Sequence, residues 1–177
     1  MTRITGTLRD IYSRKGGDHY GENVSQLSHA MHCAELAKAD MQPDELIIAC
    51  FLHDIGHMVE PEKGFNVEAH DRIGADYLSR LGFQNDVVEP VRQHAEAKRY
   101  LCLADQEYYS TLSEASQRSL VFQGDTMTKE EARLFELLPQ FEACIALRKY
   151  DDLGKSKDYQ MSDADWVFDL IEGYFNP

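Results

Sequence analysis

Apolar residues in this chain recur at intervals of three and four, and no strand-length run alternates apolar with polar positions. No Asn-Gly or Asp-Gly pair lies between apolar runs to signal a hairpin. The pattern predicts an all-α fold. Ile4 to Arg14 makes a short amphipathic first helix, which Gly16 and Gly17 end because glycine tolerates left-handed backbone angles. Val24, Leu27, Met31 and Ala34 then share one helical stripe. His29 lies about one position off its centre, so it can point inward beside the core.

The stretch from Leu46 to His57, LIIACFLHDIGH, organises the rest. Pro43 suits the first turn of its helix, with Asp44 and Glu45 complementing the helix dipole. Ile47, Ile48, Cys50, Phe51 and Leu52 make that helix apolar nearly all round, so it is the central buried one. Gly56 stops it just after His53 and Asp54, whose side chains therefore emerge at the end of a rigid element. Met58 to Val67, with Pro61 and Gly64, reads as a loop.

A helix from Glu68 to Leu81 follows, carrying His70 near its start and closed by Gly82. Asn85 can cap the next, which contains His94 and is kinked or restarted by Pro90. Phe141 to Tyr150 reads as a helix that delivers Arg148 and Asp151 one turn apart. Thr128 and Glu131 form a capping box. Ser162 with Asp165 opens a last helix that buries Trp166, Val167, Leu170 and Ile171.

Composition narrows the function. The 177 residues suit one domain spanning 1–177, with no Gly/Ser or Pro-rich linker to divide it. A net charge of -13 opposes binding to nucleic acid or an anionic membrane surface, so an anionic ligand must be held by a few local cations. Cys33, Cys50, Cys102 and Cys144 have no CxxC spacing and read as reduced thiols, mostly in the core. The first residues lack the apolar core of a signal peptide, and no apolar run approaches the ~18 residues of a membrane span, so a soluble cytoplasmic protein is expected.

Candidate chemistry starts at His53 and Asp54, adjacent residues of two metal-ligand types. A carboxylate can bridge two ions when further ligands lie opposite. His29, His53, His70 and His94 each lie on a separate predicted helix among apolar neighbours. One such histidine is an ordinary core residue; four of them, with the His-Asp pair and a later acid, point to a metal site.

The order His29, His53-Asp54, His70, His94, Asp151 resembles the six-ligand pattern of HD-domain proteins, in the version that holds two metals. Within that superfamily the chain is similar to the mixed-valent di-iron oxygenases that cleave organophosphonates, of the 2-amino-1-hydroxyethylphosphonate dioxygenase type. YGENVSQLSHAMHCAELA, from Tyr20, resembles the segment where those enzymes place a gating tyrosine, an amine-binding glutamate and the first histidine ligand. Glu22 keeps the family's distance to His29. Tyr20 stands one position closer to the glutamate than in that family, where His19 would take the tyrosine's place.

The resemblance implies an HD-domain helical bundle with a dinuclear site at its centre. His29, His53, Asp54 and Asp151 would bind the first iron, and Asp54, His70 and His94 the second, with Asp54 as bridge. Asp152 competes for the last position, but the LRKYDD context, with Arg148 three residues before Asp151, favours Asp151. His57 matches an acid/base histidine. Lys98, Ser116, Ser119, Gln123 and Arg148 fall on the phosphonate-binding positions, and Glu22 on that for the substrate's ammonium group. Cofactors would be two iron ions, mixed-valent Fe(II)/Fe(III), with dioxygen as co-substrate. The substrate would be a small 1-hydroxy-2-aminoethylphosphonate or its N-trimethyl analogue, made by a partner hydroxylase and cleaved to phosphate and glycine or glycine betaine.

Blander readings stand beside these. Lys98 and Arg148 could be surface cations, Glu22 a first-turn helix acid, and His19 and His32 solvent-facing or hydrogen-bonded helix residues. Tyr108 and Tyr109 read as packing residues of a short helix, with lining of the substrate pocket as the lesser alternative. The alternative enzyme is a metal-dependent HD phosphohydrolase, in which the same ligands activate water against a phosphate ester. A non-catalytic HD fold used as a binding module is disfavoured because no member of the ligand set is missing.

Overall fold

A computed structural model describes residues 2–19, 23–59 and 69–176. These contain ten α-helices, one 3-10 turn and no strand. α1 (Arg3–Lys15), α2 (Gln26–Ala39) and α3 (Asp44–Leu52) lead into a 3-10 turn, Ile55–His57. After them come α4 (His70–Leu81), α5 (Asn85–Ala104), α6 (Tyr108–Thr111) and α7 (Glu114–Phe122). The chain closes with α8 (Lys129–Phe135), α9 (Phe141–Leu153) and α10 (Asp165–Phe175).

The apolar run of α3 puts it at the centre. Every residue from Leu46 to Leu52 is buried, and α2, α5, α9 and α10 all pack on it. Phe51 is wholly buried, stacked on Tyr12 with ring centroids 4.5 Å apart, and the Tyr12 hydroxyl donates to the Phe51 carbonyl at 2.6 Å. That bond satisfies a carbonyl in the last turn of α3, where intrahelical donors have run out. Loss of a core aromatic of this kind costs about 3–5 kcal/mol, so the end of α3 is firmly anchored. A second apolar cluster, of Ala97, Met127, Ala132, Phe135 and Cys144, joins α5, α8 and α9.

Several local expectations need correction. Gly16 caps α1 at φ -63°, not in the left-handed region; its lack of a side chain matters because a Cβ would meet the Tyr12 carbonyl oxygen at 2.4 Å. α3 ends at Leu52, so Gly56 does not stop it. Asn85 is the first residue of α5, not its cap, which is Gln84. α5 runs unbroken through Pro90, held across the missing hydrogen bond by its packing on α3, α4 and α9. At α10 the Asp163 carboxylate accepts from the Asp165 backbone at 2.7 Å, while Ser162 is turned away to Glu35.

Other expectations hold. Gly82 closes α4 at φ +98°, where only glycine is unstrained. The Thr128–Glu131 capping box opens α8 with both of its bonds present. Cys33, Cys50, Cys102 and Cys144 are free thiols. No helix among the described residues is long and apolar enough to cross a membrane.

Candidate metal centre and its cavity

Asp54 takes φ -96° and ψ 8°, the sparsely allowed bridge region, between the end of α3 and the 3-10 turn. That bend turns its carboxylate away from the core and toward histidines from four elements. The turn then runs directly over the start of α4. A Cβ on Gly56 would lie 1.9 Å from the His70 carbonyl oxygen, and one on Gly74 would lie 3.0 Å from the Gly56 nitrogen. Two facing glycines thus let the backbones of the turn and α4 touch.

Backbone carbonyls decide which ring nitrogen of each histidine is free. Nδ1 of His53 lies 2.8 Å from the Cys50 carbonyl, Nδ1 of His94 lies 2.7 Å from the Val91 carbonyl, and Nδ1 of His29 lies 3.1 Å from the Gly154 carbonyl. A carbonyl only accepts, so Nδ1 carries the proton and the Nε2 lone pair faces inward. These lone pairs converge: His29 and His53 Nε2 are 3.2 Å apart, and His70 and His94 Nε2 are 3.0 Å apart. Two nitrogens bound at right angles to one ion at ~2.1 Å lie ~3.0 Å apart. The spacing therefore fits a cation between each pair.

Asp54 stands between the pairs. Its Oδ2 is 3.7 Å from His29 Nε2 and 3.6 Å from His53 Nε2, while its Oδ1 is 3.5 Å from His70 Nε2 and 3.8 Å from His94 Nε2. One carboxylate oxygen faces each pair. Asp151 Oδ1 adds to the first, 3.2 Å from His29 Nε2 and 3.8 Å from His53 Nε2. Cys33 is also nearby, but its Sγ is nearer to Nδ1 of His29, at 3.7 Å, than to Nε2, and it donates to the Tyr150 carbonyl. The Cys33 sulfur thus lies within 4.8 Å of donor nitrogens of His29 and His53, while the closer convergence on the inward Nε2 atoms is that of the Asp54 and Asp151 oxygens.

The electrostatics agree with that geometry. Burial opposes ionisation of Asp54, but the histidines around it, His53 foremost, hold its carboxyl well below the usual range. Burial likewise opposes a charge on Asp151, which Arg148 and then Lys155 outweigh. Burial lowers His53 and His70, and takes His94 down to about 4. His29 is the exception: burial opposes its charge, but Cys33 and Asp151 favour it and raise its pKa well above the ordinary value. Burial also raises the Cys33 thiol and keeps it neutral, so the Asp151 carboxylate is the partner that counts. Asp54 and Asp151 are thus carboxylates, and His53, His70 and His94 neutral imidazoles, which are the protonation states that bind a metal. The donor set fits two metal ions.

The centre opens into a cavity of about 380 Å³. His57 lines it, stacked on His70 with ring centroids 4.1 Å apart. α5 supplies Lys98, one turn after His94 and 2 % exposed, whose Nζ donates to the Ser116 carbonyl at 3.2 Å and to Ser119 Oγ at 2.7 Å. Burial, then Arg148, pushes Lys98 down to about 7. Ser116, Ser119 and Gln123 lie along one face of α7 and its cap and also line the cavity. The Gln123 side-chain oxygen is buried with no hydrogen-bond partner among the described residues.

α9 adds Arg148, which donates to Asp151 Oδ2 at 2.6 Å and pairs in parallel with Asp152. Tyr108 donates to Asp152 and accepts from Arg148 Nε at 3.1 Å. Asp152 is thus spoken for by Arg148 and Tyr108, and it is Asp151 that faces the histidines.

His29, His53, Asp54, His57, His70, His94, Lys98, Ser116, Ser119, Gln123, Arg148 and Asp151 are therefore gathered around one cavity or its wall. Tyr20 and Glu22 lie outside the described residues, as do residues 60–68, which include most of the segment expected to be a loop. His19 is exposed, and His32 is half-buried, stacked on Tyr159 at 4.1 Å. Sequence reasoning missed Lys155 and Gln26, which also line the cavity, and did not foresee that Tyr108 bonds Asp152 and Arg148. Lys155 had a signal, its place one turn after Asp151. Gln26 had a similar one, three residues before His29.

The HD domain family profile matches residues 22–138 of this chain. The chain is 38% identical over 171 residues to the 1-hydroxy-2-(trimethylamino)ethylphosphonate dioxygenase (glycine-betaine-forming) of Leisingera caerulea, covering 93% of this chain and 86% of that protein. It is 38% identical over 167 residues to the hydroxymethylphosphonate dioxygenase of Gimesia maris, covering 91% of this chain and 82% of that protein. An uncharacterized protein of Acanthamoeba polyphaga mimivirus is 36% identical over 177 residues, covering 96% of this chain and 81% of that protein.

Proposed function

The chain belongs to the HD-domain family, in the branch that holds the phosphonate dioxygenases, and from that premise we propose an iron-dependent oxygenase that cleaves a carbon-phosphorus bond. Its substrate is a 1-hydroxy-2-aminoethylphosphonate or the N-trimethyl analogue, and its products are phosphate and glycine or glycine betaine. The whole of 1–177 acts as one HD domain. An upstream hydroxylase supplies the 1-hydroxy group.

The observation that carries this reading is the division of Asp54, one oxygen toward His29 and His53 and the other toward His70 and His94. His29, His53, Asp54 and Asp151 hold the first ion in this proposal, and Asp54, His70 and His94 the second. Iron bound there supplies the redox steps that dioxygen requires and a Lewis acid for substrate oxygens. A mixed-valent Fe(II)/Fe(III) pair is part of the proposal.

The chain's own residues do the rest. Lys98, Arg148, Ser116, Ser119 and Gln123 bind the phosphonate and orient the hydroxyl-bearing carbon toward the metal end of the cavity. Arg148, held by Asp151, Asp152 and Tyr108, has little freedom left to lose on binding. Glu22 would take the ammonium group, and Tyr20 would be the residue that gates access to the first ion. His57, beside His70, receives the proton of the substrate hydroxyl.

The test is aerobic incubation of the iron-loaded protein with both aminophosphonates, following phosphate release and dioxygen uptake together. Equal release and uptake is expected. Phosphate released from simple phosphate esters, with no dioxygen consumed, would replace the oxygenase by a phosphohydrolase.

A further inference from the structure

We propose that Lys155 is a third cation of the oxyanion subsite, one that exchanges a carboxylate oxygen of Asp151 for an oxygen of bound phosphonate or phosphate. The proposal rests on reading this cavity as an oxyanion site.

Lys155 follows the turn at Gly154 that ends α9, and its side chain is 16% exposed on the cavity wall. Its Nζ lies 3.0 Å from Ser116 Oγ and 3.3 Å from Asp151 Oδ1. Ser116 is therefore gripped by two ammonium groups, its carbonyl by Lys98 and its hydroxyl by Lys155. Arg148 differs from both. It pairs with Asp151 Oδ2 and with Asp152.

The contact of Lys155 with Asp151 is open to exchange. Asp151 Oδ1 is also the oxygen that faces Nε2 of His29 at 3.2 Å and of His53 at 3.8 Å. A cation held by those histidines would draw on the same oxygen and repel the ammonium beside it. Ser116 Oγ remains as a pivot, and a tetrahedral oxyanion next to Ser116 offers Lys155 a further negative partner. Charge-assisted hydrogen bonds of that kind change affinity by about 10- to 100-fold when one is removed.

The competing role is a structural one, in which Lys155 merely holds Asp151. Calorimetry of the metal-loaded protein without dioxygen, using inorganic phosphate and methylphosphonate, separates the two. For Lys155→Met we expect both ligands to weaken by about 10- to 100-fold, with metal content and ligand-free melting temperature nearly unchanged. Lys155→Arg should recover part of the affinity. Lys155→Gln substitutes if the methionine variant does not fold. Unchanged phosphate affinity would overturn the proposal, as would a loss that merely follows lost metal or lowered melting temperature. Neither probe is an oxygenase substrate. Failure of hydroxyphosphonate turnover with loss of phosphate affinity in Lys155→Met would therefore remove the oxygenase reading and leave this subsite standing.

Discussion

Gly56 and His70 meet backbone to backbone: a Cβ on the glycine would lie 1.9 Å from the His70 carbonyl oxygen and 2.7 Å from its carbon. Asp54 precedes that contact by two residues, and its Oδ1 is 3.5 Å from His70 Nε2. The glycine is what lets a carboxylate at the end of α3 and an imidazole at the start of α4 share one site.

Gly56→Ala should therefore push the turn off α4. The obstacle is backbone, which cannot rotate aside, so we expect a loss of at least the ~1–3 kcal/mol typical of overpacking. Metal should be lost from the His70 and His94 site before the other. Thermal melting and metal analysis check this, and a variant with normal stability and two ions per chain would contradict it.

Asp54→Ala should remove both ions, because one oxygen serves each histidine pair. Metal analysis of the purified variant decides. One ion retained at full occupancy would show that the carboxylate does not bridge.

His70→Ala should abolish turnover yet leave the first site partly filled through His29, His53 and Asp151. Phosphate release at the wild-type rate would mean the second ion is not used.

Lys98 gives the cavity a pH dependence. Burial, with Arg148 next, pushes it to about 7, so it is charged below that pH and neutral above it. Affinity for inorganic phosphate should fall as pH rises through 7, and a bound oxyanion should draw the proton back on. Lys98→Met should bind phosphate about 10- to 100-fold more weakly at pH 6, with a flatter profile. Calorimetry from pH 6 to about 8.5 reads this out, and parallel profiles for the two proteins would sink the assignment.

Glu22→Gln should weaken substrates bearing an ammonium group far more than hydroxymethylphosphonate, since only the former loses an opposite charge. The measurement is kcat/KM on both compounds. Equal losses on both would mean that Glu22 does not meet the ammonium group.

Much of the fold was legible because its causes are local. The unbroken apolar run of α3 could only be buried, the Thr128–Glu131 capping box needs no distant partner, and Gly82 ends α4 through its own backbone angle. Where a cap depended on residues met in space, prediction slipped: Ser162 is drawn to Glu35 on α2, and Asp163 takes over the end of α10.

The same division runs through the site. By itself the sequence determined the helical class, the central helix and the histidines and acids able to bind metal, because periodicity and side-chain chemistry are properties of the chain. Only the tertiary structure decided that Asp54 directs one oxygen to each histidine pair, that Asp152 answers Arg148 while Asp151 faces the histidines, and that Lys155 joins Lys98 at Ser116. Those are distances of a few ångströms between residues far apart in the chain. They are set by how α3, α4, α5, α7 and α9 pack, which no local pattern encodes.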